Sequence, residues 1–174
     1  MKTFLATFAL VLALHSASAE EKIALVQPKS ARLALTKIIR EHDLYAEYKG
    51  QIRISGVLVA EWVGGRDNVN YKEPEYSIVP DRASTKRLPH FSGYSVRFIQ
   101  LLNGKEALTM AAGSADTERL LNRKTAQIKV AGSFVISGYS VGVECDASWA
   151  KAKLIRADIP AKRLAAIAQP IEEC

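Results

Sequence analysis

Apolar and polar residues alternate along several stretches of the chain, and a two-residue period is typical of strands that bury one face. Asn103 and Gly104 form a dipeptide that favours a tight hairpin turn, so residues 105–111 are expected to return as a strand. Counting residues 105–111, five strands are predicted, so the chain is expected to be mainly β. The other predicted strands are residues 51–62, 94–102, 127–137 and 139–157, the last with a bend near Asp146 and Ala147.

Two other segments have the apolar spacing of helices. Residues 29–48 have this spacing at their start, where Ser30 is a suitable cap, and they predict an N-terminal helical segment within residues 20–48. Residues 114–124 begin at Ser114, with acidic residues in the first turn and basic residues at the end, as the helix dipole favours. This second segment is predicted to be a short helix between the third and fourth strands.

The order of these elements is that of an OB-fold, a small five-stranded barrel with a helix between its third and fourth strands. Gly56 lies inside the first predicted strand, where a glycine lets a strand coil tightly. We therefore expect an OB-like antiparallel barrel at residues 49–160, followed by a tail at residues 161–174. Another small antiparallel barrel or a sandwich is the alternative.

The chain repeats itself. The pentapeptide SGYSV occurs at residues 92–96 and again at 137–141. Each copy follows a similar strand, QIRISGVLV at residues 51–59 and QIKVAGSFV at residues 127–135. We interpret both copies as a Ser-Gly turn leading into a strand, because serine and glycine suit turns and tyrosine and valine suit sheets.

The first 19 residues are typical of a secretory signal peptide. Lys2 precedes an apolar run, and Ala17-Ser18-Ala19 is a small-residue cleavage site. This predicts a periplasmic or secreted protein with no transmembrane anchor after cleavage. In such an oxidising compartment the two cysteines, Cys145 and Cys174, are expected to form a disulfide.

The formal net charge of +6 is mildly basic. Lysines and arginines are scattered rather than concentrated on one stripe with interleaved aromatic residues, which argues against nucleic acid as the ligand. A solvated surface with a weak preference for anionic partners fits better.

The stretch QIRISGVLVAEWVGG, the Tyr- and Pro-containing loop after it and the later KVAGSFV resemble small exported bacterial proteins of unknown function. The resemblance covers residues 51–157 and implies export and a barrel. Members of that group carry a histidine cluster after the late strand. This chain has Ser137-Gly138-Tyr139-Ser140 there, so a metal site does not carry over.

The sequence does not present a catalytic, metal or cofactor site. His42 and His90 are far apart, and no phosphate-binding or dinucleotide motif is present. Ser140 matches the letters G-x-S-x-G, but strand-type residues follow it, whereas a nucleophile elbow opens a helix. A small hydrolase using Ser140 is kept only as a third hypothesis, and neither metal nor cofactor is expected.

The long loop at residues 63–91 is the predicted binding surface, because long loops in compact domains are often functional. We expect an exported, non-catalytic binding module that uses this loop and the barrel face to bind a protein or an anionic or glycan ligand. An inhibitor or immunity-type protein that blocks an envelope enzyme is the alternative. The oligomeric state does not follow from the sequence. The predicted contact residues are Trp62, Arg66, Tyr71, Lys72, Tyr76, Arg82, Lys86 and Arg87.

Overall fold

Strands dominate the parts of the chain that the computed structural model describes, residues 23–39, 44–62 and 73–159. The short helices are α1 (Arg82–Thr85), α2 (Gly104–Ala112) and α3 (Ser114–Leu121). The strands are β1 (Leu25–Val26), β2 (Ala34–Ile39), β3 (Leu44–Lys49), β4 (Gln51–Glu61), β5 (Glu75–Pro80), β6 (His90–Phe91), β7 (Ile99–Leu101), β8 (Gln127–Glu144) and β9 (Ala147–Asp158).

The long strand β8 organises the main sheet. Its first half pairs antiparallel with β4 and its second half with β3, while β9 runs antiparallel along its other edge. Beyond β4 the order continues through β5 to β7, and β7 pairs in parallel with β9. The hydrogen-bonded pairs therefore lead from β8 through β4, β5, β7 and β9 back to β8. Strand β2 extends the sheet beyond β3, and β1 pairs with β6.

The core lies on the inner face of these strands, which contribute apolar, buried residues. Helices α2 and α3 add Leu108 and Leu120 to it. Burying a side chain of this size stabilises the fold by roughly 1.5–3 kcal/mol, so these residues hold the strands together. The strand contribution includes Ile54, Leu58, Ile78, Phe134, Ile136 and Leu154.

The predicted N-terminal helix is wrong. Residues 34–39 form β2 and residues 44–49 form β3, an antiparallel pair within the same sheet as β4. The segment Leu44–Lys49 alternates outward and buried residues, with Ala46 and Tyr48 facing the core. Pairing with β8 satisfies its backbone groups, and this distant contact overrides the local helical spacing.

The predicted second and third strands are also wrong. The strand that follows β4 and pairs with it is β5, which lies inside the segment predicted to be a loop. Of the predicted strand at residues 94–102, only Ile99–Leu101 is a strand. Residues 105–111 lie in α2, where Glu, Ala, Leu and Met favour a helix. Instead of making a hairpin turn, Asn103 donates to the Leu154 carbonyl and accepts from the Leu154 N–H, both at 2.9 Å.

Strand β4 and helix α3 confirm the corresponding predictions. The predicted strands at residues 127–137 and 139–157 are strand in content but wrong in their boundary, because the chain does not turn at Gly138. Strand β8 runs on to Glu144, and the chain reverses at Cys145 and Asp146, whose φ angles of 46° and 61° suit a two-residue hairpin turn. The predicted leader at residues 1–19 and the tail at 161–174 lie outside the described residues.

Candidate functional site

Arginines from four parts of the chain line one groove on the outer surface of β4, β8 and β9. The groove has a volume of about 480 Å³. No carboxylate of the described residues lines this groove, whereas the pocket between β5 and α2 is lined by Glu73, Glu75 and Glu106 with a single cation, Lys105. Its lining residues are Ser30, Arg32, Gln51, Ile52, Arg53, Arg87, Val135 and Arg156.

Strand register places two of these arginines side by side. Arg53 of β4 lies opposite Val135 of β8, and Val135 lies opposite Arg156 of β9. Residues directly opposite in neighbouring strands share a face, so both guanidinium groups project on the outer side, about 10 Å apart at the backbone. Both arginines are exposed, whereas the neighbouring Ile54 and Leu154 are buried on the inner side.

A hydrogen-bonded turn brings Arg87 to the groove. The Asp81 side chain accepts from the Ser84 N–H at 2.7 Å and caps α1. This bond is the main cause that holds the pKa of Asp81 below its usual range. The buried Ser84 hydroxyl accepts from the Ser55 N–H at 2.8 Å, which fixes the turn to β4. Arg87 then donates to the Arg53 carbonyl at 3.1 Å, so its guanidinium lies beside the arginine row.

The groove has an excess of positive charge. Asp158 accepts from Arg53, and its Oδ1 lies 3.2 Å from Nε of Arg156. The hydrogen bond from Arg53 is the main cause that lowers the pKa of Asp158. Among the described residues no carboxylate pairs with Arg32 or Arg87. Asp81 is near enough to Arg87 for the charge of the arginine to help lower the pKa of Asp81. Four arginines therefore face two aspartates, and an anion would be attracted.

Two of the aromatic residues predicted to bind a ligand, Trp62 and Tyr76, make contacts within the fold. The indole N–H of Trp62 donates to the Leu120 carbonyl at 2.8 Å, and the guanidinium carbon of Arg123 lies 4.0 Å from the ring centroid. Tyr76 packs directly over Gly104, where a Cβ would overlap its ring. Burial is the main cause that raises the pKa of Tyr76. Both side chains anchor α2 and α3 to the sheet.

The predicted basic residues divide into two groups. Arg87 lines the groove, and Arg82 and Lys86 are exposed beside it on and after α1. Arg66, Tyr71 and Lys72 lie outside the described residues, so their roles stay predictions. Sequence reasoning missed Arg32, Arg53 and Arg156. The available signal was that Arg53 and Arg156 occupy outward positions of alternating strands.

The structure also describes the surroundings of Ser140, of the potential metal ligands and of Cys145. Ser140 lies within β8, with strand residues on both sides, and not at a strand-to-helix turn. Across residues 23–39, 44–62 and 73–159, no group of three or more His, Cys, Asp or Glu could hold a metal ion. Cys145 is exposed at the hairpin turn, while Cys174 lies outside the described residues, so their disulfide stays a prediction.

Within the described part of the chain, no helix has the length and apolar character needed to cross a membrane. No family model, curated protein or solved structure matches the chain. Its function is therefore inferred from the geometry of the groove.

Proposed function

We propose that the protein is a non-catalytic binding module that binds an anionic ligand in the arginine groove. The observation that carries this proposal is the convergence of Arg32, Arg53, Arg87 and Arg156 on one groove that no described carboxylate lines, with Asp158 and Asp81 near its arginines. Guanidinium groups bind carboxylates and phosphates through paired hydrogen bonds, which makes arginine the preferred residue for such contacts.

The strand pairing supports an OB-type barrel as the scaffold. Strands β4, β5, β7, β8 and β9 would be its first to fifth strands, with β7 parallel to β9 and the α2–α3 segment between its third and fourth strands. Strands β2 and β3 extend this framework. OB barrels bind ligands on an outer face, and here the basic face is formed by β4, β8 and β9.

The predicted signal peptide supports a periplasmic or secreted site of action. A protein or an anionic glycan outside the cytoplasm is therefore the ligand class that best suits the groove. The alternative of an inhibitor or immunity-type protein depends on the loop at residues 63–91, whose first ten residues, 63–72, lie outside the described part of the chain. No contact among residues 73–91, the part of that loop that the structure describes, favours it.

Calorimetric titration with linear polyphosphate of about ten units tests anion binding without presupposing a sugar or a protein. Removing two charges with Arg53→Gln and Arg156→Gln is expected to weaken binding roughly tenfold or more, since about 1.4 kcal/mol corresponds to a factor of ten. The matched control changes two exposed lysines elsewhere, Lys105→Gln and Lys124→Gln. Equal affinities for both double variants would contradict the proposal.

A further inference from the structure

The arginine row belongs to a longer strip along β8. Each outward residue of β8 from Ser133 to Gly142 is paired with one residue of β3 or β4 on one side and one residue of β9 on the other. These sets of three form five successive rows across the sheet. Basic residues recur along one side of the strip, at Arg156, Lys153 and Lys151. The rows are Ser55–Ser133–Asp158, Arg53–Val135–Arg156, Gln51–Ser137–Lys153, Glu47–Ser140–Lys151 and Tyr45–Gly142–Trp149.

A bulge keeps these rows on one face. Ser137 lies opposite Lys153 but Ser140 lies opposite Lys151, so β8 has one extra residue here. Gly138 is at this point with φ of 58°, the left-handed conformation that glycine adopts in such bulges. The extra residue switches the alternation, so that odd positions before it and even positions after it both face outward.

The last row ends in an aromatic platform. Gly142 lies between Tyr45 and Trp149, and the indole of Trp149 lies against it so closely that a Cβ would overlap the ring. With no side chain between them, the two rings come to 5.5 Å between centroids at an angle of 34°. Both rings are half-buried, so part of each is accessible to a ligand.

Polar groups surround this platform. Lys151 Nζ lies 5.0 Å from the Trp149 ring centroid, and Lys37 Nζ lies 5.8 Å from that of Tyr45. The Tyr45 hydroxyl donates to the Glu47 carboxylate. Aromatic surface, cations and a hydrogen-bond acceptor are thus combined within two neighbouring rows.

We infer that the ligand of the strip is an acidic glycan, a chain of sugar rings that carry carboxylates. This inference rests on the proposed function and names the ligand class. A sugar ring stacks on Tyr45 and Trp149, because the apolar face of a sugar suits an aromatic surface. Acid groups further along the chain bind the Arg53–Val135–Arg156 row. Seven residues of β8 separate the two ends, about 23 Å at 3.3 Å per residue, so the ligand spans several sugar units.

The carboxylates of the strip favour a glycan over single-stranded nucleic acid. Glu47 and Asp158 lie in the outer rows and accept hydrogen bonds, which sugar hydroxyls can donate and phosphodiester oxygens cannot. Proteins that bind single strands stack successive bases on aromatic residues along the strand. Among the five rows, aromatic residues occur only in the last one.

Three probes with similar negative charge test the inference by calorimetry: decagalacturonate, linear polyphosphate of about ten units and a ten-residue oligothymidylate. The wild-type protein is expected to bind decagalacturonate most tightly and digalacturonate at least tenfold more weakly. Trp149→Ala is expected to weaken decagalacturonate binding roughly tenfold and to leave polyphosphate affinity unchanged. The control is Leu102→Ala, which shortens a side chain 57% exposed at another surface.

Nuclear magnetic resonance on the wild-type chain avoids any folding defect of the variant. The protein has two tryptophans, and only the indole N–H signal of Trp149 is expected to shift with decagalacturonate, while that of Trp62 stays. If the arginine variants lose polyphosphate binding but Trp149→Ala binds decagalacturonate as tightly as the wild type, the glycan inference is overturned and the proposed function stands. Tighter, Trp149-dependent binding of oligothymidylate would replace it with nucleic acid. No response to the arginine variants would overturn the proposed function itself.

Discussion

The two copies of SGYSV have the same five residues and different structures. In both, the glycine has positive φ, 82° at Gly93 and 58° at Gly138. Residues 92–96 form a turn after β6 and continue without regular structure. Residues 137–141 lie in the middle of β8, where Gly138 forms a bulge. The shared sequence gives a positive φ at its glycine in both copies, and strand pairing determines whether that glycine forms a turn or a bulge.

The tyrosines show the consequence most clearly. Tyr94 is half-buried at the surface, whereas Tyr139 is fully buried and donates to the Pro89 carbonyl at 2.8 Å. In the first copy the ordering contact comes from Ser92, whose hydroxyl accepts from the Ala24 N–H at 2.8 Å. The first copy thus joins the N-terminal segment to the fold. The second copy contributes Tyr139 to the core and, through the bulge at Gly138, keeps the outer rows of β8 on one face.

The largest difference is expected on removing the two rings. Tyr139→Ala deletes a fully buried aromatic side chain and is expected to lower the free energy of unfolding by about 3–5 kcal/mol. Tyr94→Ala is expected to cost about 1 kcal/mol, since its ring is only half-buried. Urea unfolding of both variants measures the difference. Equal losses would show that the second copy has no special place in the core.

Alanine at the two glycines separates backbone strain from ligand binding. Gly138→Ala and Gly93→Ala are each expected to cost about 1–2 kcal/mol, because an L side chain disfavours positive φ. Only Gly138→Ala is expected to weaken decagalacturonate binding as well, since Gly138 lies in the bulge that aligns the aromatic row with the arginine row. Calorimetry on both variants decides this. Weaker binding by the Gly93 variant alone would contradict the role given to the bulge.

Removing single hydroxyls gives a smaller contrast. Tyr139→Phe loses the bond to Pro89 and is expected to lower the free energy of unfolding by about 1 kcal/mol. Tyr48 is the neighbouring buried ring, and its hydroxyl has no hydrogen-bond partner in the described structure. Tyr48→Phe is therefore expected to be neutral or slightly stabilising in the same urea assay. A larger loss at Tyr48 than at Tyr139 would reverse this account.

Alkaline pH tests the buried pair without changing its shape. Burial raises the pKa of Tyr48 from 10.0 to about 12, and burial also raises the pKa of Tyr139. A group with a raised pKa contributes its full stability below pH 10 and loses it as the pH rises through the folded-state value. Unfolding measured between pH 9 and 12 should show this loss in the wild type and less of it in Tyr48→Phe, whereas the control Tyr94→Phe should follow the wild type.

The elements that local pattern predicts correctly are those whose pattern agrees with their setting. Strands β4 and β8 alternate over long stretches, and α3 has a suitable first turn, so each forms where its sequence indicates. Strand β5 is only six residues long and lies in a segment rich in turn residues. Strands β2 and β3 depend on pairing with each other and with β8. Such contacts between distant residues have no local signature.

The site shows the same division. Arg87 was predicted because it lies in a basic, aromatic loop segment, but Arg53 and Arg156 belong together only through the register of three strands. That register includes the irregularity between Val135 and Ile136, which places Arg156 rather than Ile155 opposite Val135. Register shifts of one residue exchange the faces of a strand, and the sequence alone does not specify them here.

The most direct test of anion binding is a map of where an anion touches the protein. Isotope-labelled protein titrated with linear polyphosphate is expected to show the largest shifts at the side-chain Nε–H signals of Arg53, Arg87 and Arg156 and at the amide of Val135. Shifts confined to residues 63–72, or spread evenly over exposed lysines such as Lys105 and Lys124, would contradict the arginine groove as the binding site.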